Sequence, residues 1–169
     1  DLINNKKQQS MAMEAAYNLL PKIFEEYYRI SGRRFDLIDA YRTEDAEAVM
    51  ILLNSAADTG KEAVDRMRRN GKKVGLISPT VIRPFPAKEI ASALKGAKVV
   101  LVADRQESYG GWGGNMTFEV KAALKDDPDN RSLVVSRIYG VGGKEFFVND
   151  AEMLFEEALE AARIGKIKT

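Results

Sequence analysis

The sequence contains neither cysteine nor histidine. The first absence removes disulfides, thiolate nucleophiles and cysteine-ligated iron–sulfur clusters from this chain, together with the usual zinc sites. The second removes the side chain that most often moves protons near neutral pH. A surplus of one charge sign is also missing. Lysine and arginine number 26 against 25 aspartates and glutamates, a net charge of +1, so nothing points to nucleic acid, whose binding usually needs a basic surplus. No apolar run approaches the ~20 residues that span a bilayer, and the polar opening "DLINNKKQQS" is no signal peptide. Any chemistry here would have to use carboxylates, lysine, tyrosine, serine or threonine. That disfavours the chain as a complete enzyme on its own.

What is present is a regular alternation of segments. With 169 residues, 45% of them hydrophobic and 30% charged, the chain suits one soluble domain with a real core. Ala12, Ala16, Leu19, Leu20, Ile23, Phe24 and Tyr27 recur at three- and four-residue steps. That pattern predicts a helix over residues 6–30, kinked or broken at Pro21 and ended by "SGRR". Tyr17, Tyr27 and Tyr28 on it read as packing residues. "FDLIDAYR" reads as an edge strand. "AVMILLN", "KVGLIS", "AKVVLVA" and "SLVVSRI" read as strands buried on both faces. Between them lie helical patterns. One follows Thr59 and Glu62, which have capping-box spacing, and stops at Gly71. One has Pro86 suited to its first turn and stops at Gly96; another is "MTFEVKAAL". A closing helix from about Asp150 would bury Leu154, Phe155, Ala158, Leu159 and Ala162. Strand–helix alternation of this kind predicts an α/β fold with a mainly parallel sheet and helices on both faces.

Two glycine-rich stretches invite a nucleotide reading. "DRQESYGGWGGNMTFEV" (Asp104–Val120) follows an apolar strand and holds the only tryptophan. Gly110, Gly111, Gly113 and Gly114 fit neither G-x-G-x-x-G nor G-x-x-x-x-G-K-[ST]. A phosphate could still meet backbone N–H groups where the next helix begins near Asn115. The plainer reading is a flexible strand-to-helix connection whose glycines take positive φ. Trp112 suits an interface anchor. Asp104 and Arg105 sit at a strand end, where ligand-facing residues lie in open α/β sheets, but a local Asp–Arg pair is the simpler expectation. "YGVGGKEF" misses both spacings too and reads as a tight strand exit. The basic "DRMRRNGKK" reads as a solvated helix end before a docking patch.

The blocks "YRTEDAEAVMILLNSAADTGKEAVDRMRRNGKKVGLISPTVIRPFPAKEI", "KVVLVADR" and "YGVGGKEF" occur in an order that resembles the second core domain of 2-oxoacid:ferredoxin oxidoreductases, in the alpha subunit of pyruvate synthase. The segment "RMRRNGKKVGLISPTVIRPFPAKEI" carries most of the likeness. "LNSAAD" departs from it, since relatives more often have Gly-Ser there.

The resemblance implies a three-layer α/β/α sandwich like the C-terminal domain of transketolase. Its five-stranded sheet would run 1-3-2-4-5 with strand 1 antiparallel. It implies a single domain over 1–169, as a fragment of a longer alpha subunit in a cytoplasmic complex. The family reaction is reversible oxidative decarboxylation of a 2-oxoacid, pyruvate first, to an acyl-coenzyme A. Thiamine pyrophosphate with Mg and iron–sulfur clusters would lie elsewhere in the complex; the thiamine-binding G-D-G…N pattern is absent here. The implied partners are a thiamine-binding beta subunit, an iron–sulfur subunit and, through the complex, ferredoxin. An oligomer is compatible with this, whereas nucleic acid and membrane are not implied. Strand order would place a crevice at Ser55–Gly60 and Asp104–Gly114, with Ser55, Thr59, Asp104, Arg105, Gly111 and Trp112 as candidate crevice or interface residues and no catalytic or metal-binding residue. The alternatives are a module for a small anionic ligand such as coenzyme A or a nucleotide, and the corresponding domain of a transketolase or pyruvate dehydrogenase component.

Overall fold

The structure, a computed structural model, describes residues 1–167. The chain divides into two compact units: Asp1–Asp39 with Pro79–Pro86, and Ala40–Ser78 with the residues from Ala87 onward.

The first unit is dominated by α1 (Leu2–Ser31). Asp1 caps it by accepting from the Ile3 N–H at 3.1 Å, and Gly32 closes it in the left-handed conformation at φ 71. A residue with a side chain would be strained there. The helix continues through Pro21, so the expected break does not occur. Proline removes one hydrogen bond, and a helix of 30 residues keeps its pattern on either side. No α1 residue is fully buried: of the expected stripe Ala16, Leu20 and Phe24 are half-buried, while Ala12, Leu19, Ile23 and Tyr27 are exposed. The aromatic residues of its last turns do pack: Phe24 and Tyr27 lie 6.5 Å and 5.6 Å from the Phe35 ring. The Arg34 guanidinium sits 4.0 Å above the Tyr28 ring.

The five strands form one sheet. They are β1 (Ile38–Tyr41), β2 (Ala48–Ile51), β3 (Val74–Pro79), β4 (Val99–Asp104) and β5 (Leu133–Ile138), in the order β1-β3-β2-β4-β5. β1 is antiparallel, while β3–β2, β2–β4 and β4–β5 pair in parallel. The helices of the second unit are α2 (Ser55–Arg69), α3 (Ala87–Ala93), α4 (Asn115–Lys125) and α5 (Val148–Ile164).

Every residue of β2 and β4 is buried. Side chains alternate across a sheet, and both sets are covered. Ala48, Met50, Val99 and Leu101 join α2 and α5 in one core through Val64, Met67, Ala151, Phe155 and Ala158. Val49, Ile51, Val100 and Val102 are as completely buried and point to the opposite face. This double burial explains why both strands are nearly all aliphatic. β5 departs from expectation: only Val135 is buried, because the strand is last in the order and has one neighbour. Its Arg137 instead forms a two-pronged ion pair with Glu157 of α5.

Two further details correct the sequence reading. α2 begins at Ser55, four residues before Thr59, so Thr59 is no cap; its hydroxyl donates to the Ser55 carbonyl at 3.4 Å. In α5 the fully buried positions are Ala151, Phe155, Ala158 and Ala161, with Leu154, Leu159 and Ala162 half-buried beside them. Phe155 is the largest fully buried side chain. Phe155→Ala should lower the unfolding free energy by about 3–5 kcal/mol, read as a lower denaturant midpoint with an unchanged slope.

Candidate functional site

The sheet order reverses its winding at β2: the chain steps to β3 on one side, then returns to β4 on the other. Ligands and contacts in open α/β sheets favour the loops at such a reversal. The register pairs Ile51 with Val102. The exits of β2 and β4 are therefore neighbours, which brings the Ser55 and Asp104 loops to one edge of the sheet, in line with the strand order that the resemblance implied.

On the β2 side, Asn54 precedes α2 with φ 55 and offers no side-chain cap. Ser55 is exposed and Thr59 half-buried.

The β4 side is more elaborate. Asp104 is the last residue of β4 and is buried, with 6% exposure. Its Oδ1 accepts from the Met116 N–H at 2.9 Å. Its Oδ2 accepts from the Thr117 N–H at 3.2 Å and from the Thr117 hydroxyl at 2.8 Å. The Thr117 and Ser136 hydroxyls are 3.0 Å apart, which extends the network to β5. Asp104 thus occupies the N-terminus of α4, where unpaired N–H groups and the helix dipole favour negative charge. The expected Asp104–Arg105 pair does not form. Arg105 reaches instead to the Gly140 carbonyl, 3.4 Å from its Nε. The α4 N-terminus is not free for an external phosphate either: two of the N–H groups that would bind one, those of Met116 and Thr117, already donate to Asp104.

The glycines fit this arrangement. A side chain on Gly114 would collide with the Asp104 carboxyl group, and a Cβ on Gly113 would lie 2.6 Å from the Ser136 hydroxyl oxygen. Gly113 also has φ +147. Gly111 donates its N–H to the Ser108 carbonyl at 2.8 Å. The tip beyond this packed base is open: Tyr109 is 98% and Trp112 88% exposed. Behind it, burial pushes the Tyr139 phenol above its ordinary range; Arg105 pulls it down and Asp104 pushes it up. The Tyr139 N–H donates to the Asp104 carbonyl at 2.9 Å.

Of the residues named from sequence, Asp104, Arg105, Gly111 and Trp112 belong to one loop, with Ser55 and Thr59 on the neighbouring exit. Sequence reasoning missed Thr117 and Ser136; Tyr109, Gly113 and Gly114 lay inside the expected loop without being singled out as candidates. "YGVGG" forms the expected tight exit, a 3₁₀ turn over Val141–Gly143 with Gly140 at φ 64. The basic stretch is largely neutralised: Arg66 pairs with Glu62, Arg68 with Asp45, and Lys72 with Glu156. Among the described residues, no group of three or more carboxylate, histidine or cysteine side chains could hold a metal. No described helix is long and apolar enough to cross a membrane.

An α/β sheet ordered 1-3-2-4-5 with an antiparallel first strand is the architecture of transketolase-like domains. A solved split-gene transketolase, an inactive beta4 tetramer, superposes with a TM-score of 0.58 at 14% identity, over 76% of this chain and 43% of that one. A 2-oxoglutarate:ferredoxin oxidoreductase from Magnetococcus marinus, solved with 2-oxoglutarate, coenzyme A and succinyl-CoA bound, superposes with a TM-score of 0.55 at 17% identity, over 74% of this chain and 20% of that one. Residues 46–151 match the pyruvate:ferredoxin oxidoreductase core domain II, and the chain belongs to that family.

It is similar to the pyruvate synthase subunit PorA of Pyrococcus furiosus, 35% identical over 93% of this chain and 39% of the relative. The PorA of Thermotoga maritima is 36% identical over 95% and 41%. The ketoisovalerate oxidoreductase subunit VorA of Pyrococcus horikoshii is 32% identical over 92% and 39%. The chain spans about two fifths of the length of these curated relatives.

The carboxylate–helix contact leaves no room for a side chain at Gly114. Gly114→Ala should destabilise the fold by about 1–3 kcal/mol, the usual cost of overpacking. It should also shift the amide NMR signals of Met116 and Thr117 more than those of α2.

Proposed function

We propose that this chain is a structural and interaction domain of the alpha subunit of a 2-oxoacid:ferredoxin oxidoreductase, and that the rest of the subunit lies outside it. The observation that carries the proposal is coverage. Relatives at 35–36% identity match 93–95% of this chain, yet those matches make up only 39–41% of pyruvate synthase subunits. Pyruvate is the first substrate to test, and the branched-chain 2-oxoacid named by the ketoisovalerate relative is the second. The complex would decarboxylate its 2-oxoacid oxidatively to an acyl-coenzyme A and pass electrons to ferredoxin.

The residues of this chain do not fit the cofactors of that chemistry. It has no cysteine or histidine to ligate an iron–sulfur cluster. At the α4 N-terminus a carboxylate stands where a diphosphate would be held. Thiamine pyrophosphate, Mg and the clusters are assigned to the remaining parts of the complex, including a thiamine-binding beta subunit and an iron–sulfur subunit. The contribution of this chain is a contact edge: Ser55 and Thr59 at the β2 exit, and Arg105, Gly111 and Trp112 at the β4 exit, braced by Asp104. The same carboxylate argues against the alternative of an anionic-ligand module, because negative charge already fills the most suitable site.

Co-purification with the thiamine-binding and iron–sulfur subunits tests the reading. Trp112→Ala should weaken assembly by about 30-fold or more, the loss of roughly 2 kcal/mol or above that marks an aromatic hot spot. Far-UV circular dichroism should stay unchanged. The isolated chain should show no 2-oxoacid-dependent reduction of ferredoxin or a viologen dye. Turnover without partners would overturn the proposal.

A further inference from the structure

The loop between β4 and α4 combines two properties that rarely occur together. Its tip is among the most exposed aromatic surface of the chain, with Tyr109 98% and Trp112 88% accessible. Its base is among the most constrained. Both chain ends of the loop converge on Asp104, which starts it and which accepts three hydrogen bonds from the helix that ends it. Gly113 and Gly114 press against Ser136 and Asp104 so closely that neither position has space for a methyl group. Within the loop, the Ser108 N–H reaches the Gly113 carbonyl at 3.4 Å, and the Ser108 hydroxyl donates to Asn115 Oδ1 at 2.9 Å. Arg105 ties the outgoing strand to the Gly140 turn. A glycine-rich loop with four glycines in five residues would be mobile on composition alone. This one is fastened at both ends to a single buried carboxylate.

We infer that Asp104 is a positioning residue: it acts as an internal anion that holds the α4 N-terminus and so presents Tyr109 and Trp112 as a preorganised contact edge. The inference rests on the contact-edge reading above and adds how that edge is held. Binding normally charges an ordering cost for each loop and side chain it immobilises. Asp104 meets that cost during folding, so that an aromatic side chain with few rotatable bonds meets its partner surface already placed.

The chemistry of the site makes the charge matter, beyond its shape. All three partners of the carboxylate are donors: two backbone N–H groups and the Thr117 hydroxyl. Asparagine fills the same space but has one acceptor oxygen and one NH2. In either amide orientation the NH2 faces a backbone N–H that has lost its acceptor.

Trp112 is the only tryptophan, so its fluorescence reports this loop alone. In the wild-type chain its anisotropy decay should follow the tumbling of the whole molecule despite its exposure. Asp104→Asn should add a fast local component. It should also speed amide exchange at Met116 and Thr117 by about five- to tenfold, the size of a lost helix cap. Phe155→Leu, a core change outside the loop, should lower stability without either effect. Fast local depolarisation of Trp112 in the wild type overturns the inference whether or not any variant folds. So does an Asp104→Asn protein with an unaltered decay, or a Phe155→Leu protein that loosens Trp112 equally. Should Asp104→Asn fail to fold, Thr117→Val removes one of the three bonds while keeping the shape, and an unaltered decay there counts equally against the idea. The contact reading fails separately, when Trp112→Ala assembles normally with the partner subunits.

Discussion

The candidate site depends on where one negative charge is placed. Asp104 ends a strand whose every residue is buried, and its carboxylate meets the N-terminus of the next helix. An isolated carboxylate in such a place would be costly to desolvate. Three donors and the positive end of a helix offset that cost, and hydrogen bonds to a charged group are each worth about 1.5–3 kcal/mol. The carboxylate in turn dictates its surroundings. Gly114 must lack a side chain because Asp104 occupies the space. Thr117 must carry a hydroxyl that reaches both Asp104 and Ser136. The loop must return to its starting point before α4 can begin.

This arrangement also decides what the edge can do. In many α/β proteins the helix after the strand at the winding reversal binds a phosphate with its free N–H groups. Here the same physics is satisfied internally. The helix end is neutralised by the chain itself, and the loop is left free to carry aromatic side chains outward. The contact edge proposed above follows from this arrangement, in a chain that spans about two fifths of the length of its PorA relatives.

Much of the fold was legible in the sequence, because the strong signals are periodic and local. β2 and β4 read as doubly buried strands since nothing but aliphatic side chains suits a strand covered on both faces. The 1-3-2-4-5 order was not in the periodicity at all; it came from the resemblance. The errors have a common cause. Pro21 read as a kink or a break, and the break does not occur, because the penalty for an interior proline was weighed locally, without the long helix on either side. Thr59 looked like a cap because its spacing to Glu62 fits one, but the helix had begun four residues earlier, at Ser55. β5 looked doubly buried because an apolar edge strand and an apolar central strand read alike until the neighbours are known.

The site was legible in position and illegible in wiring. Strand order was enough to bring Ser55 and Asp104 to one edge. The partner of Asp104 was misread as Arg105, its immediate neighbour, when it is Met116 and Thr117, twelve and thirteen residues on. Helix caps are sought within three or four residues of a helix start, and a cap supplied from across a ten-residue loop leaves no such spacing. The remaining trace is indirect: a Gly-Gly pair before a helix that has no capping side chain of its own at Gly114. A helix start lacking a local cap, after a strand that ends in aspartate, asks where its free N–H groups go. In this fold that question leads directly to Asp104.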